Sequence, residues 1–306
     1  IIPDRELFQL PFELLLTTEA DSPSSYKDLP YLLHQIQVQY DASATIWDLQ
    51  VQRSAQSHNQ KSLIFAYDGN VDSGYDLETE DEADMIQSLI GGAIFKGAQA
   101  SKDQFRSISS EYGLLHLGCH AQLDDVNPQF SALYLAQNAA GDGKLSIQEL
   151  SQSNLNAELA VLSACETGKG KYLDGEGLVS LTSGFLNAGV PAVVMSLWQV
   201  EDQSTQKLMG YFYQNLARGM DKDQALHEAK IQYLRLADPI SAHPRFWAAF
   251  VAQGNMEPVS FLGSSSKLSY MLEQWYFWLI ITLILGILAI YLGKRARNAK
   301  FSGIPE

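Results

Sequence analysis

Four almost continuously apolar runs, at 62–67, 113–119, 159–164 and 190–197, constrain this chain more than any other feature. A strand with water on one face alternates polar and apolar residues, whereas a strand covered on both faces has no reason to. Runs this short and this apolar read as strands of a sheet buried on both sides, and a fifth candidate lies at 35–40. Helical patterns at 81–95, 102–110 and 176–188 fall between the runs, the alternation of a mostly parallel α/β sheet flanked by helices. Further on, Leu208, Tyr211, Phe212 and Leu216 form one helical stripe and Leu226, Ala229 and Tyr233 another, both expected to face the core. With 46% hydrophobic residues the 306-residue chain has ample material for that core.

Two of these runs end in groups with chemistry. Leu114-Leu115-His116-Leu117-Gly118-Cys119-His120 closes on an imidazole, and Leu159-Ala160-Val161-Leu162-Ser163-Ala164-Cys165 closes on a thiol. In an open parallel sheet, functional groups collect beyond the carboxyl ends of the strands. Neighbouring strands are about 4.8 Å apart, so two such ends can bring a thiol and an imidazole together. Those are the parts of cysteine nucleophilic catalysis, with His120 as the base and Cys165 as the nucleophile. His116 sits inside its run and reads as a satisfied core imidazole. Cys119 points to the opposite face from His120 and reads as structural. Two cysteines allow at most one disulfide, which would consume the nucleophile, so thiols are expected.

Residues 138–149 imitate a calcium loop, with Asp142, Gly143 and Glu149 on ligand positions. Ala140 occupies another such position and Asn138 replaces the first Asp, so a turn at Gly141-Asp142-Gly143 leading into a capped helix explains the same letters. Six carboxylates between Asp76 and Asp84 read as a solvated helix start. Asp174, Glu176, Glu201 and Asp202 lie near strand ends and can line a pocket for a basic side chain. No zinc-ligand spacing and no Gly-x-x-x-x-Gly-Lys phosphate loop occurs, and no metal or cofactor is expected.

Trp275 to Leu292 is an uncharged run of 18 residues, followed at once by Lys294, Arg295, Arg297 and Lys300. As a helix it spans roughly 27 Å, and Trp275, Tyr276, Trp278 and Tyr291 fit interfacial belts. The run reads as a single membrane-spanning helix at 275–293 with a basic tail at 294–306. The positive-inside rule puts that tail in the cytoplasm and the preceding domain on the other side. Residues 1–274 carry 17 of the 21 basic and 34 of the 35 acidic side chains, a net charge of −17 that disfavours nucleic acid and attracts basic peptides. Ile1-Ile2-Pro3 has no initiator Met and reads as the middle of a strand, so upstream sequence is expected. No repeat of about 34 residues is visible within the chain.

Several motifs together resemble the CHAT domain, a caspase-like peptidase domain commonly found downstream of tetratricopeptide repeats. They are Pro3-Asp4 with Pro11-Phe12-Glu13, Ser43-Ala44-Thr45, His116 to His120, and Leu162 through Gly168. Asp174-Gly175-Glu176-Gly177, Ser196-Leu197-Trp198 and His243 through Phe250 complete the set. The domain is set at 1–258, and the polar Ser264-Ser265-Ser266 stretch marks a linker at 259–274. The resemblance runs from residue 1 to about 254 and implies a caspase/separase-like fold with His120 and Cys165 as a catalytic dyad cleaving a protein or peptide substrate. It implies oxyanion stabilisation by the backbone N–H groups of Ala121 and Cys165. In relatives that cut after Arg or Lys, acidic residues fill the specificity pocket, which makes Asp174, Glu176 and Asp202 the pocket candidates. It also implies gating by an upstream tetratricopeptide-repeat module.

One departure is Ala121, where the family often has Gly after the His. If that position needs positive φ, Ala costs about 1–2 kcal/mol of strain. Loss of an oxyanion donor lowers rates by about 100–1,000-fold. The competing reading is therefore a caspase-like signalling scaffold at the membrane that keeps the fold without the chemistry. A glutaminase is disfavoured by the absence of a Gly-x-Cys-x-Gly turn.

Overall fold

The computed structural model describes residues 1–19, 25–53, 59–69, 79–124, 126–137, 142–163, 170–173 and 177–260. The chain divides into a compact unit, Ile1–Gly263, and a second unit, Ser264–Glu306. The predicted anchor at 275–293, the basic tail and most of the linker lie outside the described residues. Among the described residues no helix is long and apolar enough to cross a membrane.

The first unit is built on one large sheet. Its parallel strands are β1 (Ser62–Tyr67), β2 (Ala93–Lys96), β3 (Leu114–Gln122), β6 (Leu159–Leu162) and β9 (Ala192–Ser196), the last closed by antiparallel β10 (Phe250–Gly254). The order across the sheet is β10-β9-β6-β3-β1-β2, so β3 and β6 are adjacent and central. Beyond its sixth residue β3 leaves this sheet and pairs with an antiparallel hairpin, β4 (Ala132–Tyr134) and β5 (Lys144–Ser146). A separate two-stranded ribbon joins β7 (Gly170–Leu173) to β8 (Gly177–Ser180).

Both faces of the sheet are covered, which is why the apolar runs carry no alternation. Helix α1 (Ala44–Arg53) precedes β1. Ile64, Ala66, Leu114, Val161 and Val194 face one layer, made by α2 (Thr79–Ile90), α6 (Asp202–Ala217) and α7 (Lys222–Leu236). Leu63, Phe65, Leu115, Leu117, Leu162 and Val193 face the other, made by α3 (Lys102–Ile108), α4 (Ile147–Ser151) and α5 (Leu181–Asn187). Each fully buried Leu, Ile or Phe contributes about 1.5–3 kcal/mol, so these alternating rows are what fix the strand registers. The two predicted helical stripes are core, with Leu208, Phe212, Leu216, Leu226, Ala229 and Tyr233 buried and Tyr211 half-buried.

Helix starts are capped from the sequence. Ser101 accepts from the Gln104 N–H, and Ser146 with Glu149 forms a capping box at α4. A second box, Ser180 with Ser183, opens α5, so the predicted helix at 176–188 begins later and residues 177–180 are strand instead. The predicted helix at 81–95 also ends early. Gly91 and Gly92 take φ of +70° and +105°, stopping α2 and releasing Ala93–Lys96 as β2. The expected strand at 35–40 is absent; only Tyr40 bridges, to Gln253 of β10. Ile1–Asp4 form no strand either, although Ile1 exchanges backbone bonds with Gln39 and Asp41.

Candidate functional site

At the carboxyl rim of β3, alternation decides which groups meet. His116, Gly118 and His120 share the face under α2 and α6, whereas Leu117 and Cys119 pack into the opposite apolar layer. His116 is satisfied, as its interior position predicts. Its Nδ1 lies 3.0 Å from the Tyr213 hydroxyl of α6 and its Nε2 lies 3.2 Å from Glu82 Oε1 of α2. Burial, and secondarily the Glu82 charge, pushes the Tyr213 hydroxyl well above its ordinary pKa. Glu82, in the first turn of α2, is 5% exposed, so the acidic stretch at 76–84 is not wholly a solvated helix start. Asp76 and Glu78 lie outside the described residues, and the exposed Asp84 and Glu80 reach Lys96 at 2.6 and 3.9 Å.

Above this clamp, Thr79 opens α2 directly over Gly118. A Cβ at Gly118 would lie 3.3 Å from the Thr79 Cβ, so the glycine is what lets α2 approach the strand. One pair further toward the rim, His120 is 5% exposed and lies level with Tyr134 of β4. Ala121 is a strand residue paired with Leu133, and Arg5 is the one non-glycine among the described residues at positive φ. The strain considered for Ala121 is therefore not incurred.

The β3–β6 ladder runs Leu114↔Leu159 to Leu117↔Leu162, and the Ser163 N–H continues it by donating to the Leu117 carbonyl at 3.0 Å. Cys165, Asp174 and Glu176 lie outside the described residues. Asp202 is the first residue of α6, half-buried, six positions past the end of β9 and so on the same rim as His120. Its neighbour Glu201 accepts from the Ser204 hydroxyl at 3.2 Å. Nearby, the family-like motifs at 196–198 and 243–250 are joined, the Trp198 indole donating to the Arg245 carbonyl at 2.9 Å.

The calcium-like segment is resolved in favour of the capped helix. Residues 138–141 lie outside the described residues, but Lys144–Ser146 form β5 and Glu149 caps α4. Lys102 Nζ sits 2.7 Å from Glu149 Oε1 and 3.6 Å from Asp142 Oδ1, putting an ammonium where a calcium reading needs open ligands. The Lys144 N–H first, and Lys102 after it, hold the Asp142 carboxyl below the usual range. Among the described residues no cluster of three metal-ligating side chains occurs.

Sequence reasoning missed a cleft of about 590 Å³ that begins two residues beyond His120. Gln122, Ala132, Tyr134, Lys144 and Ser146 of the β3–β4–β5 extension line it, together with Lys102 of α3, Glu149 of α4 and the loop residues Asp124 and Asp142. The alternation at 132–134 and 144–146 is too short to have been read from the sequence alone.

With this geometry in hand, comparison with known proteins is decisive at the level of family. The CHAT domain pattern matches residues 1–255. The chain belongs to the CHAT domain family. The CHAT domain is also similar to Tetratricopeptide repeat protein 28 of Mus musculus, 25% identical over 214 residues, and of Homo sapiens, 25% identical over 209. Each match covers 58% of this chain and only 8% of the relative. Among solved structures, the Arg-specific cysteine proteinase gingipain R superposes with a TM-score of 0.52 at 10% identity, over 78% of this chain and 57% of that one. The Saccharomyces cerevisiae separase–securin complex gives 0.51 at 14%, over 75% and 14%. At those identities the likeness is one of fold: a mostly parallel sheet flanked by helices, shared with cysteine proteinases.

Proposed function

We propose that this CHAT domain is a cysteine endopeptidase using His120 and Cys165. The observation that carries the reading is the β3–β6 register. Each paired residue of β3 lies level with the residue 45 positions later, and 45 positions also separate His120 from Cys165. The fold likeness to a cysteine proteinase supports it further. In this mechanism His120 takes the Cys165 proton and the thiolate attacks the scissile carbonyl carbon. The oxyanion accepts from the backbone N–H groups of Ala121 and Cys165. Collapse breaks the C–N bond as His120 protonates the leaving amine. Water, deprotonated by the same imidazole, then hydrolyses the thioester and restores the thiol.

Asp174, Glu176 and Asp202 are the acids assigned to a pocket for a basic residue on the acyl side. Residues 275–293 are assigned to a bilayer anchor with the tail at 294–306 cytoplasmic, and an upstream tetratricopeptide-repeat module to gating. The names of the curated relatives support that last link. A thiol-reactive peptide probe with a basic first residue tests the chemistry. Labelling should require Cys165 and be lost in His120→Ala, and Cys165→Ala should fold yet cleave nothing. Equal cleavage by wild type and Cys165→Ala removes the thiol from the mechanism, and absence of labelling under every activating condition favours the scaffold reading.

A further inference from the structure

The cleft beyond His120 lies on a defined side of the proposed reaction. Paired residues of adjacent strands share a face, so Tyr134 and Lys144 lie on the His120 side of the β3–β4–β5 extension, with Gln122, Ala132 and Ser146 one step further along it. Leu133 and Leu145 on the opposite face are fully buried, which fixes this assignment. β6, the strand leading to Cys165, pairs with β3 farther from the hairpin, through Leu114–Leu117. A general acid must stand beside the amine it protonates. Peptide residues on the carboxyl side of the scissile bond therefore depart over His120, toward this cleft, while the acyl part stays with the thiol.

The cleft carries both signs, Asp124, Asp142 and Glu149 against Lys102 and Lys144, and these groups differ in how far each is already engaged. Lys102 is held by Glu149 and Asp142. Asp124 turns its carboxylate into its own loop, where Oδ1 accepts from the Val126 and Asn127 N–H groups at 2.9 and 2.7 Å. Asp142 Oδ1 also accepts from the Lys144 N–H. Lys144 Nζ sits 5.3 Å over the Tyr134 ring, and among the described residues no carboxylate lies within ion-pairing distance of it. The Tyr134 hydroxyl donates to Gln122 Oε1, which leaves the Gln122 amide N–H groups to act as donors. The cleft's volume is in the range of ligand-binding sites.

We infer that this cleft is the leaving-side specificity subsite of the proposed peptidase and that it selects an acidic side chain through Lys144. The inference rests on the peptidase reading, and the experiment separates the two. Wild-type full chain is first assayed on a peptidyl-aminocoumarin, which has no residues on the leaving side. It is then compared with Lys144→Glu on quenched peptides that differ only in Glu or Lys at the second and third positions after the scissile bond. Lys144 is exposed, so the variant is expected to fold, and circular dichroism checks this. Wild type should prefer Glu by about 3- to 10-fold in kcat/KM, and the preference should invert in Lys144→Glu. Coumarin release with an unchanged Glu/Lys ratio overturns the subsite and spares the peptidase. No hydrolysis of any substrate under every activating condition overturns both.

Discussion

Replacing Lys230 by Met should unfold this domain far more readily than deleting a surface charge would. Lys230, on α7, pairs with Glu13, 217 positions away, and their side chains are 2% and 6% exposed. The other carboxylate oxygen accepts from the Tyr40 hydroxyl at 2.9 Å, and that hydroxyl accepts from the Phe12 N–H at 2.7 Å. Met keeps most of the volume and removes the charge, stranding Glu13. The space beside the pair is about 10 Å³, room for one water at most, so the carboxylate cannot be rehydrated without opening the structure. Breaking one partner of such a pair costs about 3–5 kcal/mol. For a domain of this size that lowers Tm by about 6–20 °C. Glu13→Leu alone should cost a similar amount. Adding Glu13→Leu to Lys230→Met should recover all but about 1 kcal/mol, the residue being the Tyr40 hydroxyl left without its carboxylate. Urea denaturation of the four proteins followed by circular dichroism gives the coupling directly. A single variant within about 1 kcal/mol of wild type, or a double variant as damaged as the two singles added, would refute the reasoning.

Two further outcomes are expected. His116→Phe should cost about 2–4 kcal/mol, read from urea midpoints, because it strands the buried Glu82 carboxyl and leaves the Tyr213 hydroxyl without its imidazole. Asp41 is pushed up to about 6, chiefly by burial, with the Ala42 N–H acting against it. The folded state therefore keeps this proton between about pH 4 and 6 while the unfolded chain loses it, so the Asp41 contribution to stability falls as pH rises through that window. Asp41→Asn removes the slope, and its stability relative to wild type should rise by about 1–3 kcal/mol from pH 4 to pH 7 in urea titrations. A flat difference would refute the assignment.

The sheet was legible where burial on both faces wrote it in the residues. β1 spans the predicted 62–67, and β3, β6 and β9 follow their runs. The elements that escaped obey other rules. β2 holds four residues behind two glycines, and an acidic helix pattern ran over it because periodicity does not register a chain reversal at positive φ. The hairpin strands β4 and β5 have three residues each, too few to show alternation. Residues 35–40 read as strand, but only Tyr40 forms a β-bridge. In the site, alternation alone separated His116 from His120 and assigned Cys119 to the opposite layer. It could not foresee that Glu82 would be buried against His116, because that contact is made by the docking of α2 rather than by sequence spacing.

The buried polar groups are distributed unevenly, and the distribution bears on how the rim is held. On the α2, α6 and α7 side, Glu82–His116–Tyr213 ties two helices to β3, and Glu13–Lys230 ties the N-terminal segment to α7. Lys222, lowered to about 8 mainly by burial, donates to the Asn255 and Glu257 carbonyls, while Glu158 accepts from the Ser260 N–H and hydroxyl. The opposite layer is joined chiefly by apolar contact among Phe105, Leu133, Leu145, Ile147 and Phe185. Apolar contacts tolerate sliding, whereas a buried charge tolerates only the position of its partner. The clamped side is the one that faces His120, with Thr79 of α2 seated on Gly118 one pair behind it. In the proposed dyad, a base that must meet a thiol within hydrogen-bond reach needs its strand end held to a fraction of an ångström, and directional clamps on its own face would supply that where a greasy layer would not.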